Sequence, residues 1–382
     1  MGWIKRALVL LLSLALGSSV AGLVATPSSA AYPPGTLSTW GGNGFGQLGT
    51  GTTTARRTPG PVPNLDGVVD LHGGREHVIT LDQSGTVRTW GSNQHGQLGL
   101  GPGGNNPSPR VVPGLSGTTA VATGHYHSLA VAADGTVWSW GLNASGQLGD
   151  GTTTKRQSPV KVSGLTDVVS VAAGRDMSYA IKTDGTLWAW GLNGDGQLGD
   201  GTLTSRRTPV RVGSLTQVVS VAGGRDHGLA VLANGTVWAW GWNAYGQLGD
   251  GTVTDRTRPV QVSTGVRSVI AGAHHSYALR TDGTMRSWGR NYRNALGDGT
   301  KTQRRTPVPV SGVSGAVSIG TGRDHGIAVL SDGQIMTWGN NATGQLGDGT
   351  TTPRSRAALV PGVTGAKAAS GGAEYTVVLS SP

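Results

Sequence analysis

Short runs of alternating apolar and polar residues recur along the chain at a fixed interval. In a representative copy, residues 186–190 read TLWAW and lead into a glycine-rich loop, GLNGDGQLGDGT. The Trp-Gly pair that ends each run is spaced by 50 residues, except for one interval of 48, and its tryptophans are Trp40, Trp90, Trp140, Trp190, Trp240, Trp288 and Trp338. Alternation with period two and enrichment in Val, Trp and Thr are typical of β-strands. A period of this length indicates a solenoid or a propeller.

One repeat predicts four strands. Residues 168–172 form an apolar, β-branched run suited to a strand buried on both faces. A second strand is predicted at 178–182, followed by an Asp-Gly hairpin signal and a third strand at 186–190. The fourth strand, at 208–212, contains Pro209, which suits an edge position. Four-stranded antiparallel units repeated radially are the blades of a β-propeller.

The two ends of the repeat array favour a closed ring over a solenoid. The first Trp-Gly strand, at 35–40, has no inner pair of strands before it, whereas the final segment, 365–381, has the inner pair and then stops. We therefore predict that strands near 37–40 and 61–63 complete the sheet begun by 366–370 and 375–379, which would leave no open edge. The predicted fold class is all-β: one seven-bladed propeller domain over residues 31–382.

The N-terminal residues 1–30 have the pattern of a secretory signal peptide. Lys5 and Arg6 precede a long stretch of apolar and small residues, and small residues surround a predicted cleavage point at Ala30/Ala31. We therefore expect the protein to be secreted or extracytoplasmic, without a membrane span in the mature chain. Cysteine is absent, and the formal net charge of +10 favours anionic surroundings without identifying a partner.

The repeat resembles a known one. Residues 121–131 (VATGHYHSLAV), followed by 134–136 (DGT) and 140–149 (WGLNASGQLG), are similar to the repeat of the regulator of chromosome condensation family. The resemblance covers 35–381 and implies a seven-bladed propeller whose last blade is shared between the chain ends. The founding member exchanges guanine nucleotide on the Ran GTPase and binds chromatin, so an exchange activity on a small GTPase is one alternative, which export would disfavour. The chain is also similar to the secreted propeller-type inhibitory proteins of beta-lactamase, which bind their target through one rim.

The repeated polar residues have structural interpretations. One histidine per repeat begins the second strand, and we expect it to bond neighbouring backbone; Met177 and Tyr375 replace it in two copies. A single aspartate per loop is too few for a calcium site, so turn geometry is the favoured interpretation. The sequence shows no catalytic constellation. We predict a protein that is not an enzyme, with no cofactor and no metal.

Basic residues follow each glycine-rich loop, just before the fourth strand, in six copies. Two interpretations are open: a belt for an anionic polymer of the cell envelope, or pairing of each arginine with a loop aspartate at little net gain in stability. The residues concerned are Arg56-Arg57, Lys155-Arg156, Arg206-Arg207, Arg256 with Arg258, Arg304-Arg305 and Arg354 with Arg356.

The pattern Trp-Gly-x-Asn-x-x-Gly has an almost constant framework and variable x positions. Large side chains at these positions concentrate in consecutive repeats, and Trp, Tyr and Arg are enriched in binding hot spots. We therefore predict a partner-binding face that contains Trp242, Tyr245, Arg290, Tyr292, Arg293, Phe45 and His95. The predicted function is protein recognition by a monomeric, exported propeller, with no nucleic acid as partner; binding of an anionic or sugar polymer of the envelope is the alternative.

Overall fold

The computed structural model describes residues 35–381, which form seven four-stranded antiparallel sheets. This arrangement confirms the predicted all-β, seven-bladed propeller. The predicted signal peptide at 1–30 lies outside the described residues. No helix within 35–381 is long and apolar enough to cross a membrane.

In blades 1 to 6 four consecutive strands follow one another from the centre of the ring outwards, and blade 7 combines the last two strands with the first two. Blades 1 to 3 contain β3 (Val68–Gly73), β4 (His77–Asp82), β5 (Val87–Gly91), β6 (Asn106–Val111); β7 (Thr118–Thr123), β8 (His127–Ala132), β9 (Val137–Gly141), β10 (Arg156–Lys161); β11 (Val168–Ala173), β12 (Met177–Lys182), β13 (Leu187–Gly191) and β14 (Arg206–Arg211). Blades 4 to 6 contain β15 (Val218–Gly223), β16 (His227–Leu232), β17 (Val237–Gly241), β18 (Arg256–Ser263); β19 (Val266–Ala271), β20 (His275–Arg280), β21 (Met285–Gly289), β22 (Arg304–Pro309); β23 (Ala316–Thr321), β24 (His325–Leu330), β25 (Ile335–Gly339) and β26 (Arg354–Leu359). Blade 7 contains β27 (Ala366–Gly371), β28 (Tyr375–Ser380), β1 (Thr36–Gly41) and β2 (Arg56–Pro61).

Blade 7 joins the two ends of the described chain. Strand β1 pairs with β28 in an unbroken register from Thr36 opposite Ser380 to Gly41 opposite Tyr375. The predicted closure of the ring is therefore confirmed. The predicted outer strand at 61–63 is displaced, because the residues that pair with β1 are those of Arg56–Pro61.

The repeated tryptophan fastens each blade to the loop of the blade before it. The Trp190 side chain is fully buried, and its Nε1 donates a hydrogen bond to the carbonyl oxygen of Gln147, 2.9 Å away. The same bond joins Trp40 to Gln345 at 3.0 Å, across the closing junction. Gly149 of the loop has φ +69°, and a Cβ there would lie 2.8 Å from Nε1 of Trp190, so only glycine fits.

The glycine-rich loops are built by hydrogen bonds within the loop. Oδ1 of Asp200 accepts bonds from the backbone N of Thr202 at 2.9 Å and from its hydroxyl at 2.8 Å, while Asn193 Nδ2 bonds the carbonyls of Thr202 and Thr204. Arg206 pairs with Oδ2 of Asp200 at 2.8 Å. Turn geometry and arginine–aspartate pairing are therefore confirmed. Equivalent pairs join Arg156 to Asp150, Arg256 to Asp250, Arg304 to Asp298 and Arg354 to Asp348.

Two details differ from the sequence predictions. The first strand of blade 3 is not buried on both faces, because Val169 is 48% exposed where the pairing register shifts next to Val168. In blade 5 the loop contains a short 3₁₀ helix, Tyr292–Asn294. Asn294 has φ 65° at the position where Gly246 of blade 4 has φ 75°, and asparagine tolerates this left-handed conformation better than most residues.

Candidate functional site

The repeat histidines are buried at the junctions between blades and have side-chain partners. His127 Nε2 lies 2.9 Å from the hydroxyl of Ser178 in the next blade, and that hydroxyl donates to the carbonyl of Gln147 at 2.8 Å. Because the hydroxyl proton is already donated, Nε2 must carry the proton of a neutral ring. The prediction of a backbone partner was therefore wrong. Equivalent bonds join His77 to Ser128, His227 to Ser276 and His325 to Thr376.

The residue that faces this position differs between blades. Where it is Gly326, His275 Nε2 lies 3.3 Å from the hydroxyl of Thr321 in the same neighbouring blade. Met177 faces the blade whose equivalent residue is Gly228, which has no hydroxyl to offer. Tyr375 faces the blade with Val78 at this position, and its own hydroxyl bonds the carbonyls of Gly74 and His77 at 3.0 and 2.6 Å. These histidines therefore join neighbouring blades.

One face of the ring carries two sets of loops: those between first and second strands, and those between third and fourth strands. We call it the loop face, and the opposite side the hairpin face. The first strands of all seven blades line a central channel with a volume of about 370 Å³. At the loop face its mouth is lined by Arg75, His125, Arg175, Arg225 and Arg323. The mouth therefore carries four guanidinium groups, each of which lies beside a carboxylate of the next residue in the chain.

The predicted residues of blades 4 and 5 come together on the loop face. The ring centroids of Trp242 and Tyr245 are 5.3 Å apart in an edge-to-face arrangement. The Arg290 guanidinium lies 4.8 Å from the ring centroid of Tyr245 and 4.9 Å from that of Tyr292, which is 59% exposed. Arg293 lies over the same Tyr292 ring at 5.4 Å. We call these five residues, together with His274, the aromatic–arginine cluster.

His274 connects this cluster to the mouth of the channel. Its ring is 5.1 Å from Trp242 and 5.5 Å from Tyr245, and its Nε2 lies 3.3 Å from a guanidinium nitrogen of Arg225. Burial, with added repulsion from Arg225 and Arg290, lowers the pKa of His274 to about 4. The ring is therefore neutral at physiological pH and extends an uncharged aromatic surface.

Arginine–carboxylate pairs continue the surface inwards. Arg225 lies 3.3 Å from Asp226, and Arg175 of the preceding blade lies 2.8 Å from the same carboxylate. Burial raises the pKa of Asp226 above its usual value, while the two arginines oppose this effect. The cluster and the mouth together present aromatic rings, guanidinium groups and carboxylates side by side.

The other two predicted residues lie elsewhere on the loop face. His95 of blade 1 packs against Tyr126 of blade 2 with ring centroids 4.7 Å apart, and Arg75 lies 5.5 Å over the Tyr126 ring. Phe45 is half-buried in the loop of blade 7, and its backbone N bonds the side chain of Gln47. The structure therefore groups five predicted residues in one cluster and places His95 and Phe45 outside it.

Sequence reasoning missed the contribution of the loops between first and second strands. In three blades the third residue of this loop contacts the variable loop of the preceding blade. His274 meets Tyr245, Tyr126 meets His95, and the Glu374 carbonyl accepts a bond from the Thr343 hydroxyl at 2.9 Å. Comparison of residues 76, 126, 176, 226, 274, 324 and 374 between repeats would have revealed this second variable set.

The geometry defines a closed seven-bladed propeller, and comparison of sequences gives its family. A family model described as the RCC1-like domain matches residues 145–378. A model of the regulator of chromosome condensation (RCC1) repeat matches residues 34–81 and 84–131, and a second RCC1 repeat model matches 68–97 and 119–147. The chain belongs to the RCC1 repeat family of β-propellers. The search of curated proteins gave no match.

Solved structures show the same fold. Prp20p from Saccharomyces cerevisiae, studied for its binding to Gsp1p and histones, is 21% identical, with 96% of each chain covered and a TM-score of 0.83. Human WBSCR16 is 23% identical over 91% of this chain and 99% of its own, with a TM-score of 0.80. Yeast RCC1 (Prp20) bound to Kap60 is 22% identical over 96% of this chain and 95% of that one, with a TM-score of 0.82.

Proposed function

We propose that this protein is an exported, non-enzymatic propeller that recognises another protein through the aromatic–arginine cluster. The observation that carries the proposal is the joining of Trp242, Tyr245, Arg290 and Tyr292 into one continuous surface. The copies of Trp242 include Leu142 and Asn340, and those of Tyr245 include Ser145 and Thr343, so the blade does not require tryptophan or tyrosine at these positions.

The composition of the surface suits a protein partner. Tyrosine, tryptophan and arginine supply large contact areas, and each can contribute about 2 kcal/mol or more at the centre of an interface. The stacking of Arg290 between two tyrosine rings holds these side chains in place before binding, which lowers the entropy lost on association. Prp20p, a propeller of the same fold, also has protein partners, which supports protein recognition as the role of the loops.

The decisive experiment compares partner recovery by two clusters on the same face. Purified wild type, a Trp242→Ala/Tyr245→Ala/Tyr292→Ala variant and a His95→Ala/Tyr126→Ala variant would each be immobilised and exposed to the native secretome. We expect the triple variant to recover about tenfold less of its specific partner than wild type, or less still. The His95/Tyr126 variant should recover as much as wild type. Thermal unfolding would show that both variants are folded.

Two results would contradict the proposal. Equal recovery of every protein by wild type and the triple variant would exclude the aromatic–arginine cluster as the binding site. Loss only in the His95/Tyr126 variant would place recognition at blades 1 and 2. Sequencing the N-terminus of the protein from culture supernatant would test export, and a start at Ala31 is the expected result.

Exposed cations favour a second candidate function, binding of an anionic envelope polymer. Loop aspartates neutralise one arginine in each of five blades, as described above. Other cations beside the outer strands are exposed and have no ion pair within the described residues: Arg57, Lys155, Arg207, Arg258, Arg305 and Arg356. Retention on isolated cell walls that falls steeply with salt would support this function, and retention that ignores salt would contradict it.

A further inference from the structure

A third set of variable residues lies away from the loop face, near the start of each third strand. Three consecutive blades have tryptophan there, Trp138, Trp188 and Trp238, and all three are half-buried. The other copies are Arg88, Arg286, Met336 and Ser38. Because serine suffices in blade 7, the propeller does not need tryptophan at this position.

In blades 1, 3 and 4 the last residue of the second strand complements this variable residue. Asp82 pairs with Arg88 at 2.5 Å in blade 1. Lys182 places its ammonium 5.9 Å from the ring centroid of Trp188 in blade 3. In blade 4, Leu232 and Trp238 pack on the same hydrophobic cluster.

Blade 2 differs from these three blades. Its residue at the covering position is Ala132, which is too short to reach across the indole of Trp138. A cavity of about 360 Å³ lies here, lined by Trp138 and Ala132 together with Leu115, Ser116, Asp134 and Lys161. Its volume is within the usual range of small-ligand pockets, which begins at about 300 Å³.

The polar groups of the cavity are available to form hydrogen bonds with a ligand. Oδ1 of Asp134 accepts bonds from the backbone N and the hydroxyl of Thr136 at 2.9 and 2.7 Å, which orients the carboxylate and leaves Oδ2 outside these bonds. These bonds, with a smaller attraction to Lys161, hold the pKa of Asp134 below its ordinary value. A fixed carboxylate and an exposed ammonium therefore border an indole surface.

We propose that the cavity at Trp138 binds a pyranose ring, with the apolar face of the sugar on the indole and its hydroxyls bonded to Asp134 and Lys161. A sugar ring combines an apolar face with a rim of hydroxyls that both donate and accept, which matches an aromatic surface beside a carboxylate and an ammonium. A phosphate would meet repulsion from Asp134. A wholly apolar ligand would bury the two charged groups without partners.

The test uses the full chain and named sugars. Methyl glycosides of glucose, galactose, mannose and N-acetylglucosamine would be titrated against wild type with indole fluorescence and saturation-transfer NMR as readouts. The corresponding polysaccharides form a second arm, which distinguishes a free sugar from a polymer as the source of the ring. We expect at least one glycoside to bind at one site per chain.

Three variants copy arrangements that the protein already contains. Ala132→Lys reproduces the covered tryptophan of blade 3, and Trp138→Ser reproduces the residue of blade 7, so both are expected to fold. Each should weaken sugar binding by about tenfold or more, a loss of about 1.4 kcal/mol. Trp242→Ala, on the loop face, should leave sugar binding unchanged.

A gain of binding provides an independent check. Lys182→Ala should uncover Trp188 in blade 3 and raise the stoichiometry from one sugar per chain to two. Absence of binding by every glycoside and polysaccharide would overturn the proposal. So would equal binding by wild type and Ala132→Lys, loss of binding in Trp242→Ala, or an unchanged stoichiometry in Lys182→Ala.

Discussion

The junction histidines make the stability of the ring depend on pH. Burial lowers the pKa of His227 from its ordinary value of 6.5 to about 3, so the folded protein keeps this ring neutral while an unfolded chain takes up a proton below pH 6.5. The free energy of unfolding therefore has its full value above pH 6.5 and decreases as the pH falls towards 3. At pH 5 the loss is about 2 kcal/mol for one such histidine.

Five histidines of the repeat share this behaviour. The pKa values of His77, His127 and His275 are also lowered by burial to about 3, and that of His325 to about 4. Together they lower the free energy of unfolding by about 10 kcal/mol between neutral pH and pH 5, which is comparable with the whole unfolding free energy of a typical domain. We therefore expect the propeller to unfold at mildly acidic pH.

The protein contains the control for this prediction. Met177 and Gly228 form a junction without a histidine, so His227→Met/Ser276→Gly would copy a native pair. Urea unfolding at pH 7.5 and pH 5.0 should show that this variant loses about 2 kcal/mol less than wild type over that interval. The carboxylates titrate in both proteins, so their contribution to the pH dependence cancels in the difference. An identical loss in the two proteins would refute the assignment of acid sensitivity to the junctions.

Three other perturbations test individual contacts by chemical denaturation. Ser276→Gly alone should cost about 1–3 kcal/mol, because it leaves the buried Nε2–H of His227 without an acceptor; an unfolding free energy equal to that of wild type at pH 7.5 would contradict this. Asp200→Ala should cost about 1–3 kcal/mol through loss of its bonds to Thr202 and Arg206, and the check is whether Asp184→Ala, on an exposed hairpin, costs less. Deletion of residues 36–61 should remove two strands of blade 7 and lower the melting temperature far more than a surface change; an unchanged melting temperature would show that closure contributes little.

The sequence predicted the architecture because its repeats carry short-range signals. Tryptophan, glycine and asparagine at constant spacing specify strand, turn and loop within one copy, and the unmatched first and last copies predict the closing blade. Pairing of Arg206 with Asp200 was also within reach, since both residues lie in the same loop. The residues whose hydrogen bonds fix the conformation of each loop lie close together in the sequence.

Contacts between blades were harder to predict. The hydroxyl partner of His127 is 51 residues away at Ser178, and the partner of Tyr245 is His274 in the next blade. Such pairs emerge only when one position of a repeat is compared with a different position of the following repeat. The same comparison would have matched Met177 to Gly228, and it would have shown Ala132 as the residue that leaves Trp138 uncovered.

The pairing of each histidine with a hydroxyl in the following blade limits how freely this protein could be rearranged. Such a blade carries a histidine donor on one side and a hydroxyl acceptor on the other, so it can only lie beside blades that supply the matching group. If blade 4 were placed directly after blade 2, His127 would face Gly228 and its buried proton would have no acceptor. Gene segments of this propeller therefore cannot be shuffled as interchangeable units, and a duplication is tolerated only where the new neighbours supply matching halves.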